Sequence, residues 1–153
     1  MPIIQNMVIV ANYMREIFEV FDKADSINVY NDGKAESYKC GTEEYNGIIS
    51  CWYEMLENAY DMPAFGVSLN RETLEVMKNG RWIEFQFNKK LKHNCMTYEK
   101  LLIKVESAFQ GFNLIRFNSE NGYEGRCFYF NLVDKDMRKL SDYLAFLSQK
   151  SAN

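Results

Sequence analysis

His93, the only histidine of the chain, stands two residues before Cys95 in the run His93-Asn94-Cys95. A nucleophilic pair needs a thiolate and an imidazole within hydrogen-bond reach, and a third group that orients the ring. The spacing permits that geometry without enforcing it, with Glu99 the carboxylate that would stand nearby. As a metal site the run is two ligands short, and a single histidine excludes a multi-histidine centre. Acid–base work by paired carboxylates requires burial or a like-charge neighbour to separate their pKa values. Glu84 and Glu106 fall within strand patterns, and Glu99 and Glu124 near strand ends. No G-x-S-x-G elbow, phosphate-binding glycine loop or dinucleotide fingerprint occurs. These residues point away from an enzyme and imply neither a cofactor nor a metal.

Nucleic acid is an equally poor fit. The formal net charge is −3, whereas nucleic-acid binders carry a basic domain or stripe. The densest basic run, Asn88-Lys89-Lys90-Leu91-Lys92-His93, reads as a solvated turn between strands. Gly125-Arg126-Cys127-Phe128-Tyr129-Phe130 places aromatics as a base-stacking strand does. Phe128 and Phe130, however, share the face of Leu132, so only Tyr129 points away from the core.

The elements that position these residues centre on Arg81–Leu132. Four strands are expected there: Arg81–Phe87, Tyr98–Glu106, Phe112–Asn118 and Arg126–Leu132. Ile83, Phe85 and Phe87 alternate with Trp82, Glu84 and Gln86. Leu101, Ile103 and Val105 alternate with Leu102, Lys104 and Glu106. Each strand thus has an apolar and a mixed face, the pattern of a sheet covered on one side only. In Phe112–Asn118 the alternation is confused, because Ile115 and Phe117 compete with Phe112 and Leu114.

Before this block, Val8–Lys23 has the three-and-four spacing of an amphipathic helix. Ser26–Tyr30 and Ala35–Cys40 form a hairpin about Asn31-Asp32-Gly33-Lys34, since Asp-Gly supplies the positive φ of tight turns. Thr42, followed by Glu43 and Glu44, starts a helix that runs to about Ala59. Gly47, in its first turns, would let a strand approach closely. Asp61-Met62-Pro63 breaks the helix. A short strand over Ala64–Leu69 and a short helix over Arg71–Asn79 follow, and Asp134–Gln149, capped by Asp134 or Asp136, forms the last helix. The expected fold is therefore α+β, a mainly antiparallel sheet of about six strands with two or three amphipathic helices on one face.

At 153 residues, one domain over 1–153 is expected, with enough core to need no covalent staple. The four cysteines form no C-x-x-C pair, and Cys51 falls on the apolar side of a helix, so the expectation is reduced thiols in the cytoplasm. Residues 1–12 lack the positive start of a secretory signal, and no apolar run reaches the length of a membrane span.

The mixed sheet face is the expected working surface. It would present Trp82, Glu84, Gln86, Leu102, Lys104, Tyr129 and Arg116, with His93 in a neighbouring loop. A loop over Asp61–Gly66 is a lesser candidate. The function expected first is non-catalytic binding of a protein partner, or of a second copy, through that face. The alternatives are a small-molecule domain with its ligand between sheet and helices near Trp52, Trp82 and Phe65, and an enzyme using His93, Cys95 and a carboxylate.

Overall fold

Asp32 and Gly33 reverse the chain with φ of 47° and 88°, the left-handed pair that a two-residue hairpin turn requires. In the computed structural model, which describes residues 19–63, 75, 77–93, 96–124 and 128–152, this turn joins β1 (Ser26–Asn31) to β2 (Lys34–Lys39). The turn is anchored as well as tight. Asp32 Oδ1 accepts from the Gly80 amide at 2.7 Å, and the Asp32 amide donates to the Gly80 carbonyl at 2.9 Å.

Thr42 then caps α1 (Glu43–Met55), its hydroxyl oxygen accepting from the Tyr45 amide at 3.2 Å. The helix stops at Met55, earlier than the expected Ala59. Asp61-Met62-Pro63, expected as a helix break, lies in a strand, β3 (Tyr60–Pro63). The remaining elements are β4 (Arg81–His93), β5 (Met96–Val105), β6 (Gly111–Asn113), β7 (Ile115–Asn118), β8 (Gly122–Glu124), β9 (Phe128–Asn131) and α2 (Arg138–Ala152). Asp136 Oδ1 caps α2, accepting from the Arg138 amide at 3.0 Å. Phe21–Lys23 is a 3-10 turn. The rest of the helix expected over Val8–Lys23, the strand over Ala64–Leu69 and most of the helix over Arg71–Asn79 lie outside the described residues. No helix among the described residues is long and apolar enough to cross a membrane.

The fold is α+β. A six-stranded antiparallel sheet has the order β2-β1-β4-β5-β7-β8, and a second, three-stranded sheet the order β3-β9-β6. The second sheet corrects the expectation for Phe112–Asn118. That segment is two strands in different sheets, parted at Leu114, which is fully buried. A residue that anchors a change of sheet breaks the period of two, and so the alternation looked confused. The fourth expected strand likewise leaves the main sheet and pairs with β3 and β6. The basic turn expected at Asn88–His93 is strand: β4 pairs with β5 as far as His93↔Met96, with a register shift between Gln86 and Leu91. Asp25 Oδ2 accepts the Asn88 amide at 2.6 Å at that irregularity, so the donor freed from the ladder is satisfied.

One apolar cluster joins Ile27, Val29, Ile83, Phe85, Leu101, Ile103 and Val105 of the main sheet to Ile48 and Trp52 of α1 and Leu140, Leu144 and Leu147 of α2. At its centre Trp52 meets Phe21, Phe85 and Phe112 with ring centroids 4.9, 5.0 and 5.0 Å away. Its indole N–H has no hydrogen-bond partner among the described residues. That costs about 1–3 kcal/mol, which three ring contacts worth ~0.5–1.5 kcal/mol each offset.

Gly47 permits a close approach, but to a helix and not to a strand: a Cβ there would overlap the Tyr143 ring of α2. On an open helix Gly→Ala gains about 0.5–1 kcal/mol. Here overlap is the larger effect, and Gly47→Ala is expected to cost about 1–3 kcal/mol in urea unfolding, with Gly47→Ala/Tyr143→Ala unfolding no more readily than Tyr143→Ala alone. A Gly47→Ala protein more stable than the parent would show that the two helices do not meet there. Val133, in the turn into α2, holds φ at 44°, which a β-branched residue adopts only under strain. Val133→Gly is expected to raise stability by about 1 kcal/mol in the same assay.

Candidate binding site

Strand register puts Tyr30, Trp82, Glu84, Gln86, Leu102, Lys104, Ile115, Phe117 and Tyr123 on the face of the main sheet turned away from the helices. That face was expected to be open. It is not: Trp82 is 5% exposed, and Glu84 and Leu102 are fully buried. Met77, Trp82, Leu102, Ile115 and Tyr123 form a second apolar cluster, with Tyr30 and Phe117 packed against it.

Glu84 explains the closure. Its carboxylate accepts from Tyr30 Oη at 3.2 Å and from Tyr123 Oη at 2.5 Å. Tyr123 lies on β8, three strands from β4, or about 14 Å away across a flat sheet. Tyr123 and Glu84 share the mixed face of the twisted sheet, and their side chains reach across it to meet. Burial, followed by the charge of Glu84, raises the Tyr30 hydroxyl to about 12 and pushes Tyr123 up as well.

An opening lies at the seam between the two sheets. A cleft of about 520 Å³ is bounded by Trp82, Lys104 and Ile115 of the main sheet, by Ala108–Gln110 of the following turn, by Gly111–Asn113 of β6 and by Tyr129 of β9. This volume lies within the range of small-ligand sites. Gly111 is required: a Cβ there would overlap the Tyr129 ring and the Phe130 carbonyl. Trp82 is fixed by its indole N–H, which donates to the Asn79 carbonyl at 3.1 Å. Lys104 Nζ sits 5.9 Å from the Trp82 ring centroid and 3.1 Å from Glu106 Oε1. That ion pair is more than a third exposed on both sides, so it is worth at most ~1 kcal/mol and opens readily.

Three of the expected residues thus meet at the cleft: Trp82, Lys104 and Tyr129. Tyr129 reaches it from the second sheet, not from the main one. Gln86 lies at the other end of the mixed face, where its Oε1 accepts from Ser26 Oγ at 3.0 Å and Asn28 Nδ2 at 3.1 Å. Arg116 is corrected outright. It pairs with Leu101 and so projects from the opposite face, where it bridges to Glu124 and donates to the Thr97 carbonyl at 2.9 Å. The four carboxylates do not form a pair: Glu99 accepts from Ser119, while Glu106, Glu124 and Glu84 hold the partners just named.

His93 is buried at the end of β4 and lines a separate opening of about 740 Å³ with Glu19, Lys23, Asp25, Lys89, Lys92 and Tyr98. This opening is larger, but its walls carry charges of both signs, which hold water and resist desolvation. Cys95 lies outside the described residues. Cys51 is half-buried, and burial pushes its thiol up, away from nucleophilic activation. Among the described residues no group of three or more histidine, cysteine or acidic side chains is placed to hold a metal.

Sequence reasoning missed Phe109, Gln110, Gly111 and Asn113. The signal was the faulty alternation around Leu114, which marks the seam where the cleft opens. Comparison with protein-family models, with curated proteins and with solved structures found no match to this chain.

Glu84 generates two expectations. Glu84→Ala leaves the buried Tyr123 hydroxyl and the half-buried Tyr30 hydroxyl without their acceptor and should cost about 3–5 kcal/mol, with Glu84→Gln costing about half as much; equal stability of Glu84→Ala and the parent would contradict the burial. The fold also holds Tyr30 un-ionised to about 12, whereas an unfolded tyrosine ionises near ~10. The stability this contributes is complete below pH ~10 and is lost as pH rises through about 12. Absorbance titration at 295 nm should show Tyr30→Phe removing a late-ionising phenol, not an ordinary one.

Proposed function

We propose that the protein is a non-catalytic small-molecule-binding domain whose ligand lies in the cleft between the two sheets. The observation that carries this reading is the convergence of Trp82 and Tyr129, from different sheets, on one concave site kept open by Gly111. Such a site offers a planar apolar ligand aromatic walls and a few polar groups, the usual composition of a ligand pocket. The ligand position differs from the one expected near Trp52, because Trp52 is fully enclosed in the main core. A cytoplasmic setting belongs to the same reading.

Binding of a protein partner or a second copy is the second reading, and a different place favours it. Phe146, on the outer side of α2, is 56% exposed beside Tyr143, with ring centroids 6.2 Å apart. Single exposed aromatics are common on surfaces, so this reading ranks below the cleft.

Intrinsic fluorescence distinguishes the two. Planar aromatic fragments should change Trp82 emission saturably, and the change should vanish in Asn113→Trp, which fills the cleft from an exposed position without moving the unfolding midpoint. Absence of any saturable fragment binding would overturn the proposal. Concentration-dependent sedimentation abolished by Phe146→Ser would favour the partner reading instead.

A further inference from the structure

We infer that the cleft selects a planar aromatic carboxylate, with Lys104 exchanging Glu106 for the carboxylate of the ligand. This inference rests on the cleft being a ligand site and specifies what the ligand must be. Lys104 is the only charged group among the described residues that line the cleft; the other polar side chains there are those of Gln110, Asn113 and Tyr129. Its amine stands between two attractions, the Trp82 ring at 5.9 Å and Glu106 Oε1 at 3.1 Å. The ring keeps the charge over the cleft, and an exposed Glu106 leaves it easily. A ring lodged against Trp82 would set its own anionic group beside that amine, in a partly desolvated place where a charged hydrogen bond is stronger than at open surface. One amine with amide and phenol neighbours suits a monoanionic carboxylate. A phosphate is ordinarily held by several converging donors, such as an arginine fork or a run of backbone amides.

Glu106 is then a built-in competitor. It holds the amine when the site is empty, neutralises an otherwise bare lysine and sets a threshold that a ligand must exceed. A neutral aromatic gains the ring contact but cannot replace Glu106, so the site discriminates by charge as well as by shape.

Indole-3-acetate and its uncharged amide, indole-3-acetamide, test this by calorimetric or fluorescence titration of the whole chain. The acid is expected to bind about tenfold more tightly, a difference of ~1.4 kcal/mol. Lys104→Gln should make the two probes equal by weakening the acid alone. Glu106→Gln should tighten the acid severalfold and leave the amide unchanged. Raising the salt concentration should weaken the acid selectively. Glu106 is exposed and Lys104 half-buried with its amine at the surface, and unfolding midpoints confirm that the fold is intact. Equal saturable binding of acid and amide by the parent protein would overturn the anion inference and leave the cleft as a ligand site. Failure of both probes to bind would remove the cleft reading and this inference together.

Discussion

The hydrogen bond from Tyr123 to Glu84 is the constraint on which the shape of this protein depends. A buried carboxylate without partners costs several kilocalories per mole (~3–5 on losing one partner of a pair), and among the described residues Glu84 is held by two tyrosine hydroxyls. One of them stands three strands away. That hydrogen bond ties the edge strand to the middle of the sheet across the mixed face, where Trp82 and Leu102 are buried with Tyr123 and Met77.

The second constraint is the change of sheet at Leu114. By carrying β6 and β9 out of the main sheet, the chain places Phe112 and Phe130 in the aromatic core with Trp52 and Phe21, and turns Tyr129 toward Trp82. The cleft is the seam that results. Its aromatic walls stand on strands, which hold side chains more rigidly than loops do.

Much of the fold was legible in the sequence where local rules decide it. Asp32-Gly33 marks a turn because only left-handed φ closes a two-residue hairpin. Thr42 marks a helix start because its hydroxyl meets an orphan amide. The helical stripe of Tyr45, Ile48, Trp52 and Met55 and the strand alternation around Ile83 and Ile103 follow from burial on one side. What was not legible depends on distant partners. Period-two patterning assigns residues to a face but does not say what covers that face, so Trp82, Glu84 and Leu102 read as open when Tyr123 and Met77 close over them. Arg116 was misplaced because Ile115 and Phe117 compete with Phe112 and Leu114 for the core face in the sequence, whereas they pack in the second apolar cluster on the mixed face and leave Arg116 on the other. Of the candidate site, Trp82, Lys104 and Tyr129 were named from aromatic and charged residues outside the core pattern. The half supplied by Phe109–Asn113 depends on a second sheet, which the faulty alternation around Leu114 marks without saying what it pairs with. A carboxylate within Trp82-Ile83-Glu84-Phe85, among aromatics, was the legible warning that a charge is buried.

The central claim is that recognition takes place at the seam between the sheets, and chemical-shift mapping of the amides and indole N–H groups during titration with an aromatic carboxylate tests it most directly. Shifts concentrated at Trp82, Lys104, Gly111, Asn113 and Tyr129, with the Trp52 indole unmoved, are the result expected. Shifts concentrated at Phe87–His93 and Tyr98, around the opening beside His93, would contradict it.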